Sequence, residues 1–168
     1  MDRQSAADRL RKDPHPVSEE ETRNKSAARR FYEEVWNKGN LALAGELVTP
    51  QQRMHDPNNP NAAPGPEGVR QVVSFYRNAF PDLRLRLEDV VSEGDRVVLR
   101  ITASGTQQRD LPGIAATGKR IEMHGIVIHR YEDGRSAEAW VQFDHLGLLR
   151  QLGALPAASG AAAGAGGS

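Results

Sequence analysis

The segment KRIEMHGIVIHRYEDGRSAEAWVQFDHLGLLRQLG, which runs from Lys119 to Gly153, decides the fold of this chain. Two β-rich stretches in it flank Asp133-Gly134, and an Asp-Gly pair in that setting predicts a tight β-hairpin. A short helical end is expected after the second strand. This hairpin is therefore predicted to be the centre of both the fold and the chemistry.

The second strand of the hairpin has two faces, because successive side chains of a β-strand point to opposite sides. One face is expected to carry Trp140, Gln142 and Asp144. The other is expected to carry the apolar residues Ala139, Val141 and Phe143. The first face thus combines an aromatic ring, an amide and a carboxyl group along one strand. Such a combination is more typical of a pocket wall than of a solvated edge, so this face is predicted to line a pocket.

Three helices are predicted before the strands. The first begins at a capping box, Ser18 to Glu21, and carries an apolar stripe at helical spacing that includes Phe31, Tyr32 and Trp36. A short second helix is expected over 41–48. The Pro- and Asn-rich loop 54–66 follows, which is interpreted as a lid or a structural corner, and a third helix is expected over 66–80.

The hydrophobic period changes from 3.6 to 2 at Leu83, which predicts strands from there onward. Helices followed by a meander of four long strands indicate an α+β fold with a bent, antiparallel sheet over the helices. The folded domain is expected over 18–153. A mobile extension is expected over 1–17, and a disordered Gly/Ala-rich tail over 154–168.

The composition excludes several classes of partner and site. The 22 basic and 22 acidic residues balance, so no net field attracts nucleic acid or an anionic membrane. The chain of 168 residues has no cysteine, which excludes disulfides and thiolate metal sites, and no apolar run of ~20 residues that could span a membrane. A signal peptide is not encoded at the N-terminus, so a cytoplasmic location is expected.

Several short stretches together point to a known family. They are ARRFYEEVWNKGN, His55-Asp56-Pro57, GPEGVRQVVSFYRNAFPDL, Gly105-Thr106, TGKRI and a closing element with Glu138, Trp140, Asp144 and Gln151-Leu152-Gly153. With these, the chain resembles the SnoaL-like polyketide cyclases, also called ester cyclases, of the nuclear transport factor 2-like superfamily. The similarity covers nearly all of 18–153.

The resemblance implies a cone-shaped α+β barrel, with N-terminal helices packed in a strongly curved, mostly antiparallel sheet. It also implies a pocket without cofactor or metal, and a homodimer or tetramer formed through the outer sheet face. The implied reaction is an intramolecular aldol condensation on an aromatic polyketide ester, which would make the chain a lyase or isomerase. By position, Asp144 would be the general acid and base.

A carboxyl group can serve as both acid and base if apolar burial raises its pKa towards the working pH. Asp144 is therefore the predicted catalytic residue, although an Asp before a helix is also a common cap. Substrate-binding roles are predicted for His55, Tyr76, Arg100, His124, Trp140 and Gln142. For each of these a structural role is the alternative: a satisfied hydrogen-bonding His, a core aromatic residue or a solvent-facing Arg.

Three functions are compatible with the residues. The first is a cofactor-independent cyclase or isomerase acting on a hydrophobic carbonyl compound. The second is a non-catalytic protein that binds a small molecule or a partner with the same cone. The third is an epoxide hydrolase, which needs an Asp-Arg-Asp relay of which Arg100 could supply one member. His55-Asp56 alone is too sparse for a metal site.

Overall fold

The computed structural model describes residues 16–156, so the extension predicted over 1–17 and the tail predicted over 154–168 lie almost entirely outside the described range. The helical elements are α1 (Glu19–Arg30), a π-helix (Phe31–Asn37), a 3₁₀ turn (Leu41–Leu43), α2 (Ala44–Leu47), α3 (Gly65–Ala79) and α4 (His145–Leu152). The strands are β1 (Val48–His55), β2 (Arg84–Glu93), β3 (Arg96–Thr106), β4 (Arg120–Glu132) and β5 (Arg135–Phe143).

The five strands form one curved sheet in the order β1-β5-β4-β3-β2. The pairs from β2 to β5 are antiparallel, and β1 runs parallel to β5. The sheet bends around the helices without closing, since β1 and β2 are its two edges. The predicted α+β fold, with helices packed in a curved and mostly antiparallel sheet, is confirmed.

The first helix begins as predicted. The Ser18 hydroxyl accepts from the Glu21 amide at 3.1 Å, and the Glu21 carboxylate accepts from the Ser18 amide at 2.8 Å. The helix then changes to π-type hydrogen bonding over Phe31–Asn37, the part that carries the aromatic residues of the stripe. Single π turns within helices occur frequently at functional sites.

Strand β1 is the element that the sequence does not predict. Its residues VTPQQRMH are mostly polar and include Pro50, so the alternation typical of strands is hidden. An edge strand tolerates proline because one side of its backbone has no partner. The β1–β5 register also shifts between Val48 and Arg53, so the pairing is irregular where the proline lies.

The hairpin closes through the predicted turn. Asp133 (φ 49°) and Gly134 (φ 76°) both adopt positive φ, as the two-residue turns that match strand twist require. Further along the ladder, Gly125 of β4 pairs with Phe143 of β5. A Cβ on Gly125 would overlap the Phe143 ring, so the glycine leaves the space that this ring occupies.

No helix within 16–156 combines the length and the apolar character that crossing a bilayer requires.

Replacing Gly125 by Ala is expected to lower the free energy of unfolding by about 1–3 kcal/mol, because the new methyl group forces the Phe143 ring or the strand pair to move. Urea denaturation measures this. Gly45→Ala is the matched control: it lies in α2 with only Arg70 within 4 Å, and should gain about 0.5–1 kcal/mol. Equal effects of the two substitutions would contradict the Gly125 contact.

Candidate active site

A cavity lies between the concave face of the sheet, the π-helix and helix α3. Its walls are mainly apolar and include Phe31, Trp36, Val72, Leu85, Met123 and Val127. Its volume is about 80 Å³. The cavity is thus a narrow slot with few polar groups.

The face of β5 that meets this cavity is opposite to the predicted one. Ala139, Val141 and Phe143 line the cavity, so the alternating residues Trp140 and Gln142 point to the outer, convex side. The prediction that the Trp140 face forms the pocket wall is wrong. The physical reason is that the cavity wall is mainly apolar, so it is formed by the apolar face of β5, whereas Trp140 lies between the polar residues Glu138 and Gln142 on the convex face.

Asp144 occupies the capping position of α4. Its Oδ1 accepts from the Gly147 amide at 2.8 Å, and its own amide donates to the His124 carbonyl at 3.0 Å. The residue is exposed and does not belong to the cavity wall. Its position therefore matches the alternative of a helix cap, and the sheltered setting expected for an acid and base is absent there.

His55 and Trp140 lie together on the outer face. Their rings stack with centroids 5.4 Å apart, and the His55 Nε2 lies 2.8 Å from the Glu138 carboxylate. The guanidinium of Arg96 lies 5.4 Å from the centroid of the Trp140 ring. The prediction that His55 closes over the pocket and that Trp140 contacts substrate inside it is therefore wrong.

His124, Arg100 and Gln142 are also on the outer face, where all three are exposed. The His124 Nδ1 lies 3.2 Å from the Thr102 hydroxyl. Arg100 pairs with Asp89 at 2.6 Å, so it does not project into the cavity, and the relay expected of an epoxide hydrolase is not assembled there. The predicted pocket positions of His124 and Gln142 are wrong, whereas Arg100 takes the solvent-facing position that was its alternative.

Tyr76 is the predicted residue that the structure does place in the cavity wall. It lies on the buried side of α3, and its hydroxyl is 3.2 Å from the His145 Nε2. Burial, and secondly the negative charge of Asp56, raise the pKa of Tyr76 above its usual value. The phenol therefore keeps its proton at neutral pH and can donate it in a hydrogen bond.

Asp56, Asn58, Tyr76 and His145 form a polar group that we call the entrance cluster. Asp56 is only 7% exposed and lines the cavity. Its Oδ1 accepts from the Asn58 amide at 2.8 Å, whereas its Oδ2 has no hydrogen-bond donor among residues 16–156. The Asn58 side chain lies 2.8 Å from the His145 Nδ1, which fixes the ring that contacts Tyr76.

The entrance cluster lies at the end of the cavity nearest to solvent, since Asn58 is exposed and His145 is partly exposed. Asp56 and His145 were missed as site residues because β1 was not predicted and because the face of β5 was misassigned. The available signal was His55-Asp56-Pro57: an Asp two residues before Asn58 favours the turn that orients the carboxylate.

The other end of the cavity is buried and contains a chain of three hydrogen-bonded residues. The Tyr32 hydroxyl lies 3.1 Å from the His129 Nε2, and the His129 Nδ1 lies 2.8 Å from the Ser136 hydroxyl. Burial lowers the pKa of His129 to about 4 and raises that of Tyr32, to which the nearby Tyr131 contributes. Both groups are therefore neutral at pH 7.

None of the cavity-lining residues within 16–156 is a Lys or an Arg. In the same range, no group of three His, Asp or Glu side chains is placed to hold a metal ion. The site is thus an apolar slot with the carboxyl group of Asp56 at its entrance and neutral hydrogen-bonding groups at its inner end.

His129 is expected to make stability depend on pH. Its pKa falls from 6.5 in the unfolded chain to about 4 in the folded protein, so the unfolded state binds more protons between these values and acid destabilises the fold. Lowering the pH from 7.5 to 5 should cost about 2 kcal/mol through this residue, measured by urea denaturation. His129→Gln should lose that part of the pH dependence, and an unchanged profile in the variant would contradict the assignment.

Comparisons with known proteins agree with this architecture. A relative, the aklanonic acid methyl ester cyclase DauD of Streptomyces sp. (strain C5), is 29% identical over 128 residues, which cover 71% of this chain and 76% of DauD. The solved structure of TsrD from Streptomyces laurentii is 35% identical, with a TM-score of 0.73 over 80% of this chain and 97% of TsrD.

A candidate polyketide cyclase from Acidithiobacillus ferrooxidans is 30% identical, with a TM-score of 0.72 over 79% of this chain and 95% of that one. The model of the SnoaL-like polyketide cyclase family matches residues 26–152, which include the whole cavity wall. The chain therefore belongs to the SnoaL-like polyketide cyclase family.

Proposed function

We propose that this protein is a cofactor-independent cyclase that closes a ring within a hydrophobic carbonyl compound by an aldol-type addition. The observation that carries the proposal is the setting of Asp56. One of its oxygens is held by the turn to Asn58, and the other is open in an apolar cavity beside Tyr76. A carboxylate in such a setting can take a proton from a carbon acid.

In the proposed reaction, the Asp56 carboxylate takes a proton from the carbon next to a carbonyl group. The resulting enolate attacks a second carbonyl carbon of the same molecule, so that a carbon–carbon bond forms and the C=O π bond becomes an alkoxide. Protonated Asp56 then returns the proton to this alkoxide. Atoms and charge balance without a coenzyme, and loss of water from the product would complete a condensation.

Tyr76 is assigned the role of stabilising the enolate oxygen. Its hydroxyl is kept protonated by burial, and His145, oriented by Asn58, fixes its position. A donor that is already in place stabilises negative charge as it develops, at no cost of reorganisation. Asp56 and Tyr76 would thus act together as base and hydrogen-bond donor.

The name of DauD supplies a first substrate to test, aklanonic acid methyl ester. The slot has a volume of about 80 Å³, well below the ~300–1,000 Å³ of ligand sites that enclose a whole drug-sized molecule, so it has room for only part of a fused-ring compound of that kind. We therefore propose that the reacting part of the substrate enters the slot while the remainder stays at the entrance.

Asp56→Asn is expected to lower kcat by about 10²–10⁴-fold, because the amide cannot take the proton, and to change ligand affinity little. Tyr76→Phe should also lower kcat, through loss of the hydrogen bond to the enolate.

Conversion of aklanonic acid methyl ester is followed by liquid chromatography with mass spectrometry. The matched control is Asp95→Asn, an exposed carboxylate 3.7 Å from Arg96 and outside the cavity wall.

A comparison with Asp144→Asn makes the test sharper. An Asn at that position still caps α4, so the fold should be retained. If Asp144→Asn abolished turnover while Asp56→Asn did not, the assignment of the base to Asp56 would be wrong. A wild-type protein that bound the ester without converting it would favour the non-catalytic binding protein.

We also propose that two copies of the chain associate through the convex face of the sheet. Val91, Val98, Ile128, Trp140 and His55 are in register across all five strands and form a row on this face. Ile126 in the next row is 51% exposed. A second copy presents the same row, as a two-fold interface requires.

Ile126→Glu is expected to convert the dimer to a monomer, because it would bury a carboxylate in the interface beside the apolar row. Size-exclusion chromatography with light scattering measures the mass. Phe75→Glu, which changes an equally exposed apolar residue on α3, is the matched control and should remain dimeric. A wild-type protein that is already monomeric would contradict this proposal.

A further inference from the structure

The inner end of the cavity contains a polar residue that the proposed chemistry does not use. Gln52 of β1 lines the cavity and is 2% exposed, yet its amide forms no hydrogen bond within residues 16–156. Its amide is not among the side-chain groups that are both fully buried and unpaired, so the amide atoms are open to the cavity. Gln52 therefore has hydrogen-bonding capacity that a ligand in the cavity can satisfy.

Gln52 lies on β1, two strands away from His129 of the Tyr32–His129–Ser136 chain. Arg53, the next residue of β1, pairs with Glu138 of β5, and His129 of β4 pairs with Ala139 on the other side of β5. Gln52 and His129 are thus on the two strands that flank the first half of β5, and both line the cavity. The amide and the hydrogen-bonded chain belong to the same end of the slot.

The Tyr32 hydroxyl also keeps capacity for a ligand. His129 is neutral, so one ring nitrogen carries a proton and the other accepts one. With Ser136 on Nδ1 and Tyr32 on Nε2, either tautomer uses only one hydrogen-bonding position of the phenol. The hydroxyl is held in the cavity wall with another position available.

Charge selects the kind of group that this end can bind. His129 is uncharged, and within the described range no Lys or Arg lines the cavity. An anionic carboxylate or phosphate would lose its hydration without gaining a cation. An uncharged group is therefore favoured. It should both donate and accept, because the Gln52 amide offers an acceptor as well as a donor.

We propose that the inner end of the cavity is a recognition site for an uncharged hydroxyl group, of the phenol or enol type, on a flat apolar ligand. Gln52 and Tyr32 bind the hydroxyl, while His129 and Ser136 position Tyr32. Gln52 and Asp56 are four residues apart, or about 13 Å along an extended chain. The hydroxyl would thus be bound at the opposite end of the ligand from the group that meets Asp56.

This inference rests on the proposed function only in taking the same cavity as the ligand site; it does not need turnover. The experiment therefore measures binding, with three small probes of one shape: 2-naphthol, 2-methylnaphthalene and 2-naphthoate. Dissociation constants at pH 7 are obtained from chemical-shift titrations of the full chain. We expect 2-naphthol to bind about tenfold more tightly than 2-methylnaphthalene, the effect of one net hydrogen bond, and more tightly than 2-naphthoate.

Gln52→Met and Tyr32→Phe should each reduce this preference for the hydroxyl to about twofold or less. Gln51→Met is the matched control, since Gln51 is the exposed neighbour on the same strand and does not line the cavity. It should keep the full preference. If Gln52→Met does not fold, as judged by circular dichroism, Tyr32→Phe carries the test.

A preference that survives in both Gln52→Met and Tyr32→Phe would overturn the proposal, and so would tighter binding of 2-naphthoate or no binding of 2-naphthol. The outcome is distinct from that of the catalytic test. Asp56→Asn should lose turnover and keep the preference for 2-naphthol. If Asp56→Asn kept its turnover, only the proposed chemistry would fail, and the hydroxyl site would stand on its own binding data.

Discussion

The register between β4 and β5 is the constraint on which the rest of the site depends. Successive side chains of a strand point to opposite faces, so the register between β4 and β5 decides which face of β5 meets the cavity. Gly125 opposite Phe143 leaves room for an aromatic ring on the concave side. Once that ring lies there, Val141 and Ala139 follow on the same side, and Trp140 is placed on the convex side with His55.

Local signals in the sequence are sufficient for the main helices and the four antiparallel strands, although not for β1. The Ser18 and Glu21 capping box, the Asp133-Gly134 turn and the alternation along β3 each act over a few residues. Each of these features is determined by local backbone conformation or by the burial of one face of a single element. Such features do not depend on distant partners, so the helices, the hairpin and the antiparallel strands were predictable one at a time.

The site was less predictable because it depends on contacts between distant segments. The alternation along β5 separates Ala139, Val141 and Phe143 from Trp140 and Gln142, but it does not indicate which of the two faces is concave. Strand β1 carries Pro50 and is held by a parallel partner more than 80 residues away, so neither alternation nor a nearby turn reveals it. Gln52 and Asp56 could not be placed in a cavity before that strand was known.

The two polar ends of the slot are built by different parts of the chain. The entrance cluster combines the segment after β1 with α3 and α4, whereas the inner end combines the π-helix with β4 and β5. Among the cavity-lining residues of 16–156 only Asp56, at the entrance, has a carboxylate, and the walls between the two ends are apolar. In the proposed reaction, charge is thereby kept where a proton is to be moved, while the neutral inner end would orient the ligand. Because Gln52 and Asp56 belong to one continuous segment, the distance between the two ends is set by the chain itself.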